Sequence, residues 1–272
     1  MTPLIRPAPK QVHSGFLGAL TVQLNVIGAL LMRELHTRYG RENIGYLWLI
    51  GEPLMLATVI GSLHSGQKTH FGSDLAPLPF AVLGYIVFIM FRGIVNRSEG
   101  GLEANATLLY HRMVTIFDIV TARALLEGAG VFMAYLTLFS LLIAVGLADL
   151  PYRPLYLIAG VALMFWYSFA HSLIITGISH DNRTVGRLIH PYSYFMIPLS
   201  GAFYQVEWIP HPYREWLVWL PLPHVFELVR YGQFRGADLD YFSGEYLIGS
   251  CMVLTWLGLV SIKLVRSKIH LA

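Results

Sequence analysis

The stretch LYLIAGVALMFWYSFAHSLIITGIS, residues 155–179, contains no Asp, Glu, Lys or Arg. A helix needs about 20 predominantly apolar residues to cross the hydrocarbon core of a bilayer, so this stretch predicts a transmembrane helix. The composition agrees, because 55% of the 272 residues are hydrophobic and only 13% are charged, with a mean hydropathy of +0.56. Soluble domains are nearer a quarter charged. The sequence therefore predicts an all-α integral membrane protein.

Six apolar runs are long enough, or nearly long enough, to span a membrane. The second run is cut short by Arg92, and the fifth contains Pro191 and Pro198. We predict six transmembrane helices in one domain of residues 44–272, after an N-terminal segment of residues 1–43. The runs cover residues 44–63, 77–95, 128–147, 155–179, 188–206 and 247–264.

An earlier run, residues 15–32, carries Gln23 and Asn25 among apolar side chains that recur every three to four positions. That spacing describes one face of a helix. It favours an amphipathic helix that lies in the membrane interface. A seventh span is the alternative.

The distribution of basic residues predicts the orientation, since Lys and Arg concentrate in cytoplasmic segments. Six spans put both termini on one side, and the segments on that side hold 14 of the 19 Lys and Arg residues. We therefore predict that both termini are cytoplasmic. The net charge of +3 follows from this asymmetry and does not indicate nucleic-acid binding.

Residues 205–245 form an external connection of unusual composition. Trp208, Trp216 and Trp219 lie there between repeated prolines, and the apolar pieces are too short to span. Because tryptophan prefers the membrane–water boundary, we predict a re-entrant helical hairpin between spans five and six. An ordinary external loop that carries a helix is the alternative.

Motifs for catalysis are missing from the sequence. There is no GxxxxGK[ST] phosphate loop, no HExxH and no GxSxG. His171 lies alone in a predicted span, and the single Cys251 cannot form an intrachain disulfide. We expect no catalytic residue, no metal site and no cofactor in this chain, which argues against an intramembrane enzyme.

Charged residues inside predicted spans need an explanation of their own. Glu52 lies in the first span, next to Pro53, and Arg92 lies in the second. A charge at that depth is costly unless it faces protein or water. Glu52 and Arg92 could therefore meet between helices or across a water-filled path. A packing pair without a role in transport is the alternative.

Four stretches resemble the membrane permeases of ATP-binding-cassette exporters of cell-surface polysaccharides. The resemblance covers nearly the whole chain and is strongest to the branch that exports capsular polysaccharide from Gram-negative bacteria. Exporters of O-antigen or teichoic acid, or of small lipids or drugs, are the alternatives on the same scaffold. The stretches are ALLMRELHTRYGRENIGYLWLIGEPLM (29–55), LEANATLLYHRMVTIFDIVTARALLE (102–127), PLSGAFYQVEWIP (198–210) and LPHVFELVRYGQF (222–234).

The resemblance implies an inner-membrane homodimer that carries two copies of a separate ATPase, which binds ATP and Mg. It also supports the interface helix and makes residues 205–245 a periplasmic hairpin. Lipid-linked polysaccharide would cross between the protomers, along spans one, two and five. It would then pass to a periplasmic copolymerase and an outer-membrane exporter.

Candidate site residues follow from this implied path, and ordinary packing or solvation is the alternative for each. Aromatic rings suit a sugar-carrying path because they combine an apolar face with a polar tip. The path candidates are Tyr46, Trp48, Glu52, Tyr85, Phe88, Arg92, Tyr192, Tyr194, Phe195, Phe203 and Tyr204. The periplasmic gate candidates are Trp208, Trp216 and Trp219. The cytoplasmic segment 96–117 would contact the ATPase through Arg97, Glu99, Glu103, Tyr110 and Arg112.

The predicted orientation can be tested with fusions to alkaline phosphatase, which is active only outside the cytoplasm. A fusion after Ala272 should be inactive, and a fusion within residues 71–77 should be active. Activity at both positions would contradict the predicted orientation.

Overall fold

A computed structural model describes residues 16–39, 51, 54–59, 62–63, 75–109 and 114–269. These residues contain helices and turns but no β-strand, which confirms the predicted all-α class. Short 3₁₀ turns cover Glu103–Asn105 and Val206–Trp208. The α-helices are α1 (Phe16–Tyr39), α2 (Pro77–Asn96), α3 (Ala106–Leu109), α4 (Ile116–Ala144), α5 (Pro154–Asp181), α6 (Arg183–Ser200), α7 (Tyr213–Val218), α8 (Pro221–Gln233) and α9 (Gly244–Ile269).

Five of the described helices are long and apolar enough to cross a membrane. Three of them contain the predicted second, fourth and sixth spans, and a fourth covers the predicted third span up to Ala144. The predicted fifth span overlaps α6, which is not among the five and contains Pro191 and Pro198. The predicted first span lies mostly outside the described residues, so the six-span arrangement stays a prediction. The five candidates are Phe16–Thr37, Pro77–Asn96, Ile116–Ala144, Pro154–His180 and Gly244–Arg266.

Helix α2 lies at the centre of the bundle. Its apolar side chains are buried around most of the helix and contact α4, α5 and α6. A helix that is hydrophobic on all sides is expected to be buried. Arg92, which is half-buried, is the one charged side chain in α2.

Helix α5 packs closely against α9 on one side and α8 on another. A Cβ atom at Gly177 of α5 would lie 2.0 Å from Ser261 Oγ on α9, and one at Gly232 of α8 would lie 2.3 Å from the amide of Leu157. Small residues let helices approach to backbone distance in membrane proteins. The glycines therefore set the separation of these helices.

Helix α1 packs against the beginning of α4. Gln23 Nε2 donates to Asp118 Oδ1 at 3.1 Å, and Glu34 lies 3.2 Å from Arg123 Nε. These contacts tie α1 to the first turns of α4.

The predicted external connection contains α7 and α8 between α6 and α9. Helix α8 is buried along nearly its whole length and packs on α5. Its 13 residues span about 20 Å, which is too short to cross a bilayer. The predicted helical pair is therefore present, whereas its re-entrant placement in the membrane stays a prediction.

Candidate functional site

Arg92 and Tyr194 form a cation–aromatic pair between α2 and α6. The Arg92 guanidinium carbon lies 4.1 Å from the centre of the Tyr194 ring, and Arg92 also donates to the Tyr194 hydroxyl group. Tyr194 and the adjacent Phe195 are 52% and 65% exposed. A cation stacked on a ring face is stabilised without losing its charge. These three residues therefore form a charged and aromatic surface, and we call it the inner patch.

Tyr85 and Phe88 lie inside the protomer instead. Both are buried in the core around α2. Tyr85 stacks on Phe203 with ring centroids 6.3 Å apart, and Tyr192 packs between Phe91 and the neighbouring core. In the single chain these rings are packing partners. Their role in a path stays a prediction.

The remaining path candidates fall into two groups. The Tyr204 hydroxyl group donates to the Pro198 carbonyl group at 2.7 Å, beyond the end of α6. Tyr46, Trp48 and Glu52 lie outside the described residues. The predicted pairing of Glu52 with Arg92 therefore stays a prediction.

The three predicted gate tryptophans separate into different environments. Trp208 stacks on Phe80 at the start of α2, with ring centroids 5.3 Å apart. Trp216 and Trp219 project from α7 and its C-terminal end, and they are 77% and 81% exposed. Exposed indoles suit the boundary between lipid and water. A gating function for any of the three stays a prediction.

A buried arginine that is not among the predicted site residues lies between the helix ends that are predicted to be external. Arg230 on α8 is only 1% exposed. Its Nη1 atom donates to the Tyr204 carbonyl group at 2.6 Å, and Nη2 donates to the carbonyl groups of Ala202, at 2.9 Å, and of Gly201. One side chain thus satisfies three carbonyl groups that follow the end of α6.

Glu227 accompanies this arginine on the same face of α8. A Glu227 carboxylate oxygen lies 3.5 Å from Arg230 Nη1 and accepts the Val206 amide at 3.1 Å. Burial lowers the pKa of Arg230 to about 10, although the Glu227 carboxylate raises it, so the guanidinium stays charged at neutral pH. We call Glu227, Arg230 and the backbone of residues 201–206 the outer clamp.

The sequence does carry a signal for the outer clamp. Glu227 and Arg230 are three residues apart in LPHVFELVRYGQF, which is otherwise almost free of charge. Residues with that spacing are neighbours on a helix, and buried charges are normally paired. The spacing therefore predicts the pair, although neither residue is among the site candidates named from the sequence.

The C-terminal end of α8 is attached to α4 and α5. Arg153 Nη1 donates to the Tyr231 carbonyl group at 2.9 Å, just before α5 begins. Gln233 Nε2 donates to the Asp149 carbonyl group at 3.0 Å, and its Oε1 accepts the Tyr135 hydroxyl group of α4 at 2.8 Å. Because carbonyl groups at a helix end lack partners within the helix, these donors fix α8 to its neighbours.

The predicted coupling segment is folded against the ends of the helices that are predicted to be cytoplasmic. Arg97 forms an ion pair with Glu127 of α4, and Glu99 lies 3.7 Å from the imidazole of His190 on α6. Glu103 is exposed in the 3₁₀ turn. Two of the predicted contacts are thus engaged within the chain, and Glu103 faces outward.

Buried residues anchor the same segment. Leu102 packs in a cluster with residues of α4, α5 and α9, and the buried Asn105 accepts a hydrogen bond from Arg33 of α1. The segment therefore contacts helices from both ends of the chain. Tyr110 and Arg112 lie outside the described residues, and contacts with an ATPase stay a prediction.

Among the described residues, no group of three or more His, Cys, Asp or Glu side chains is arranged to hold a metal ion. His171 bonds through Nδ1 to the Tyr167 carbonyl group of its own helix at 2.9 Å. The imidazole of His171 is thus bonded within its own helix.

Comparison with known proteins shows which protein family this chain matches. Residues 25–234 match the ABC-2 type transporter family. The chain is 35% identical to the capsule polysaccharide export inner-membrane protein CtrC of Neisseria meningitidis, over 93% of this chain and 96% of that protein. It is 36% identical to BexB of Haemophilus influenzae, which has the same description, over 91% and 94%. It is 30% identical to the polysialic acid transport protein KpsM of Escherichia coli, also over 91% and 94%.

Proposed function

Because this chain belongs to the ABC-2 type transporter family, we infer that it is a membrane permease that exports capsule polysaccharide across the inner membrane. The observation that carries this inference is the similarity to capsule export inner-membrane proteins over more than nine-tenths of the chain. The relation to capsule polysaccharide exporters, which four stretches of the sequence indicated, is thereby confirmed. The long apolar helices agree with a multi-pass protein.

We propose that the permease works as a homodimer with two copies of a separate ABC ATPase. That ATPase binds ATP and Mg and hydrolyses the nucleotide, since the permease sequence has no phosphate-binding loop. The substrate is lipid-linked polysaccharide. It passes from the permease to a periplasmic copolymerase and an outer-membrane exporter.

The proposed topology has six spans, cytoplasmic termini and a domain division at residues 43 and 44. Residues 205–245 are then a re-entrant periplasmic hairpin. The contacts of α1 with the first turns of α4 support an interface helix. A span that runs alongside α4 would contact it at several depths.

The proposed path runs between the protomers along spans one, two and five. The inner patch supports this placement, because Tyr194 and Phe195 are exposed on α6 beside Arg92 of α2. A polymer needs weak contacts that repeat along its route, since one tight sugar site would hold it in place. Exposed rings provide such contacts through stacking with sugar faces.

The proposed ATPase contact is the outward surface of the segment 96–117. Glu103 supports it most directly, because the carboxylate is exposed while Arg97 and Glu99 pair within the chain. Those internal pairs connect the segment to the helices, so they suit the transmission of a movement of the segment to the helices. A displacement of the segment would act on α4 through Glu127 and on α6 through His190.

Deletion of this chain in its native bacterium tests the proposed function. Surface capsule should disappear, and lipid-linked polysaccharide should accumulate inside the cell, because synthesis continues without export. Restoring the chain together with its ATPase should restore the surface polymer. Unchanged surface polysaccharide in the deletion strain would refute the function.

Simultaneous substitution of Tyr194 and Phe195 by alanine tests the path. Each aromatic contact contributes about 0.5–1.5 kcal/mol beyond its buried area, so export should fall by roughly tenfold at equal protein level. Phe132 of α4 and Trp256 of α9 are also exposed, and their double alanine variant is the matched control. Loss of export in the control alone would put the path on the wrong helices.

Charge reversal at Glu103 tests the coupling surface. Glu103→Lys should weaken the co-purification of the ATPase about two- to fivefold, since an exposed ion pair contributes up to about 1 kcal/mol. Glu245→Lys is the control, because this residue is exposed at the start of α9 on the proposed external side. Equal recovery of ATPase with both variants would remove Glu103 from the interface.

A further inference from the structure

The outer clamp bonds to the end of α6 at several points. Gly201 has φ +79° and ends α6 in the left-handed conformation that glycine adopts readily. The carbonyl groups of Gly201 and Ala202 follow directly and accept from the fully buried Arg230. Arginine presents its donors in a rigid planar fork. The geometry therefore fixes both the position and the direction of the chain as it leaves α6.

The same arginine also reaches α2. Its guanidinium carbon lies 4.2 Å from the centre of the Phe80 ring. A Cβ atom at Gly84, one turn further along α2, would lie 1.8 Å from the Ala202 carbonyl oxygen. The end of α6 is thus held between the start of α2 and helix α8, with no room for a side chain between α2 and the backbone.

The contacts continue from α8 into the rest of the protomer. Arg153, Gln233 and Tyr135 attach the C-terminal end of α8 to α4, α5 and their connection. Moving α6 away from α8 would leave the Arg230 and Glu227 charges buried with fewer partners. Such separation is strongly unfavourable in a protein interior. The external ends of these helices are therefore linked into one unit.

We propose that Arg230 is a positioning residue for export, which makes the external end of α6 move together with α8 and the external ends of α4 and α5. The proposal rests on the export function inferred above. The external mouth then opens by movement of whole protomers relative to each other. The hairpin helix α8 does not hinge away from α6 during transport.

A reversible cross-link between α6 and α8 tests this proposal. A Cβ atom at residue 201 would lie 3.7 Å from the Cβ atom of Pro223, within the range of about 3.5–4.5 Å found in disulfides. The variant carries Gly201→Cys and Pro223→Cys in a Cys251→Ala background, so that no third thiol competes. Export is measured in the same membranes after oxidation and after reduction, which cancels any strain at residue 201.

The expected result is equal export by the oxidised and reduced protein. Loss of export on oxidation, restored by reduction, would overturn the proposal because it would show that α8 must leave α6. The Cys251→Ala parent separates this outcome from failure of the inferred function. If the parent assembles with its ATPase but exports no polysaccharide, the export function itself is refuted.

Arg230→Met gives a second measurement that does not depend on the cross-link. We expect polysaccharide exported per ATP hydrolysed to fall severalfold at matched protein level, because the end of α6 is no longer held. Arg235→Met is the matched control, since Arg235 is exposed just beyond α8. Arg230→Lys keeps the charge without the planar fork, and it replaces the Met variant if that protein does not accumulate. Export per ATP equal to that of the wild type would overturn the proposal.

Discussion

The cost of placing charge and unpaired backbone groups in a bilayer governs this structure. Water is absent from the hydrocarbon core, so polar groups there need partners within the protein. Arg92 lies in a long apolar helix and stacks on Tyr194, whereas Arg230 is buried in the protein and is paired with Glu227 and three carbonyl groups. Each buried or half-buried cation thereby joins two elements that are distant in the sequence. The same constraint that limits the charges also determines which helices are joined.

The two ends of the helical bundle differ in how these partners are used. At one end, Arg97, Glu99 and Arg33 attach the predicted cytoplasmic segment to α4, α6 and α1. At the opposite end, the outer clamp holds the chain after α6 against α8 and α2. In the proposed exporter, movement would enter through the first of these ends and reach the other through whole helices. The inner patch lies between these two ends on α2 and α6.

Much of this could be predicted from the pattern of the sequence. Long uncharged runs such as residues 155–179 identified helices, because length and hydrophobicity are local properties. The four stretches identified the family for the same reason, since the motifs are contiguous. The residues of the site could be predicted less well from the sequence. Phe88 and Tyr194 both occur in aromatic stretches, yet one is buried in the core and the other is 52% exposed. Helical spacing cannot separate them, because it does not say which face meets another helix.

The sequence by itself determined the all-α membrane class, four of the long apolar helices, the absence of an ATP-binding motif and the family. Each of these depends on residues that are close together in the chain. Only the tertiary structure decided that Arg97 and Glu99 pair within the chain while Glu103 is exposed. It also decided that Arg230 donates to the carbonyl groups of Gly201, Ala202 and Tyr204. The three carbonyl groups that Arg230 bonds lie 26, 28 and 29 residues before it in the chain. Their pairing depends on how α6 and α8 pack around α2, which no local pattern specifies.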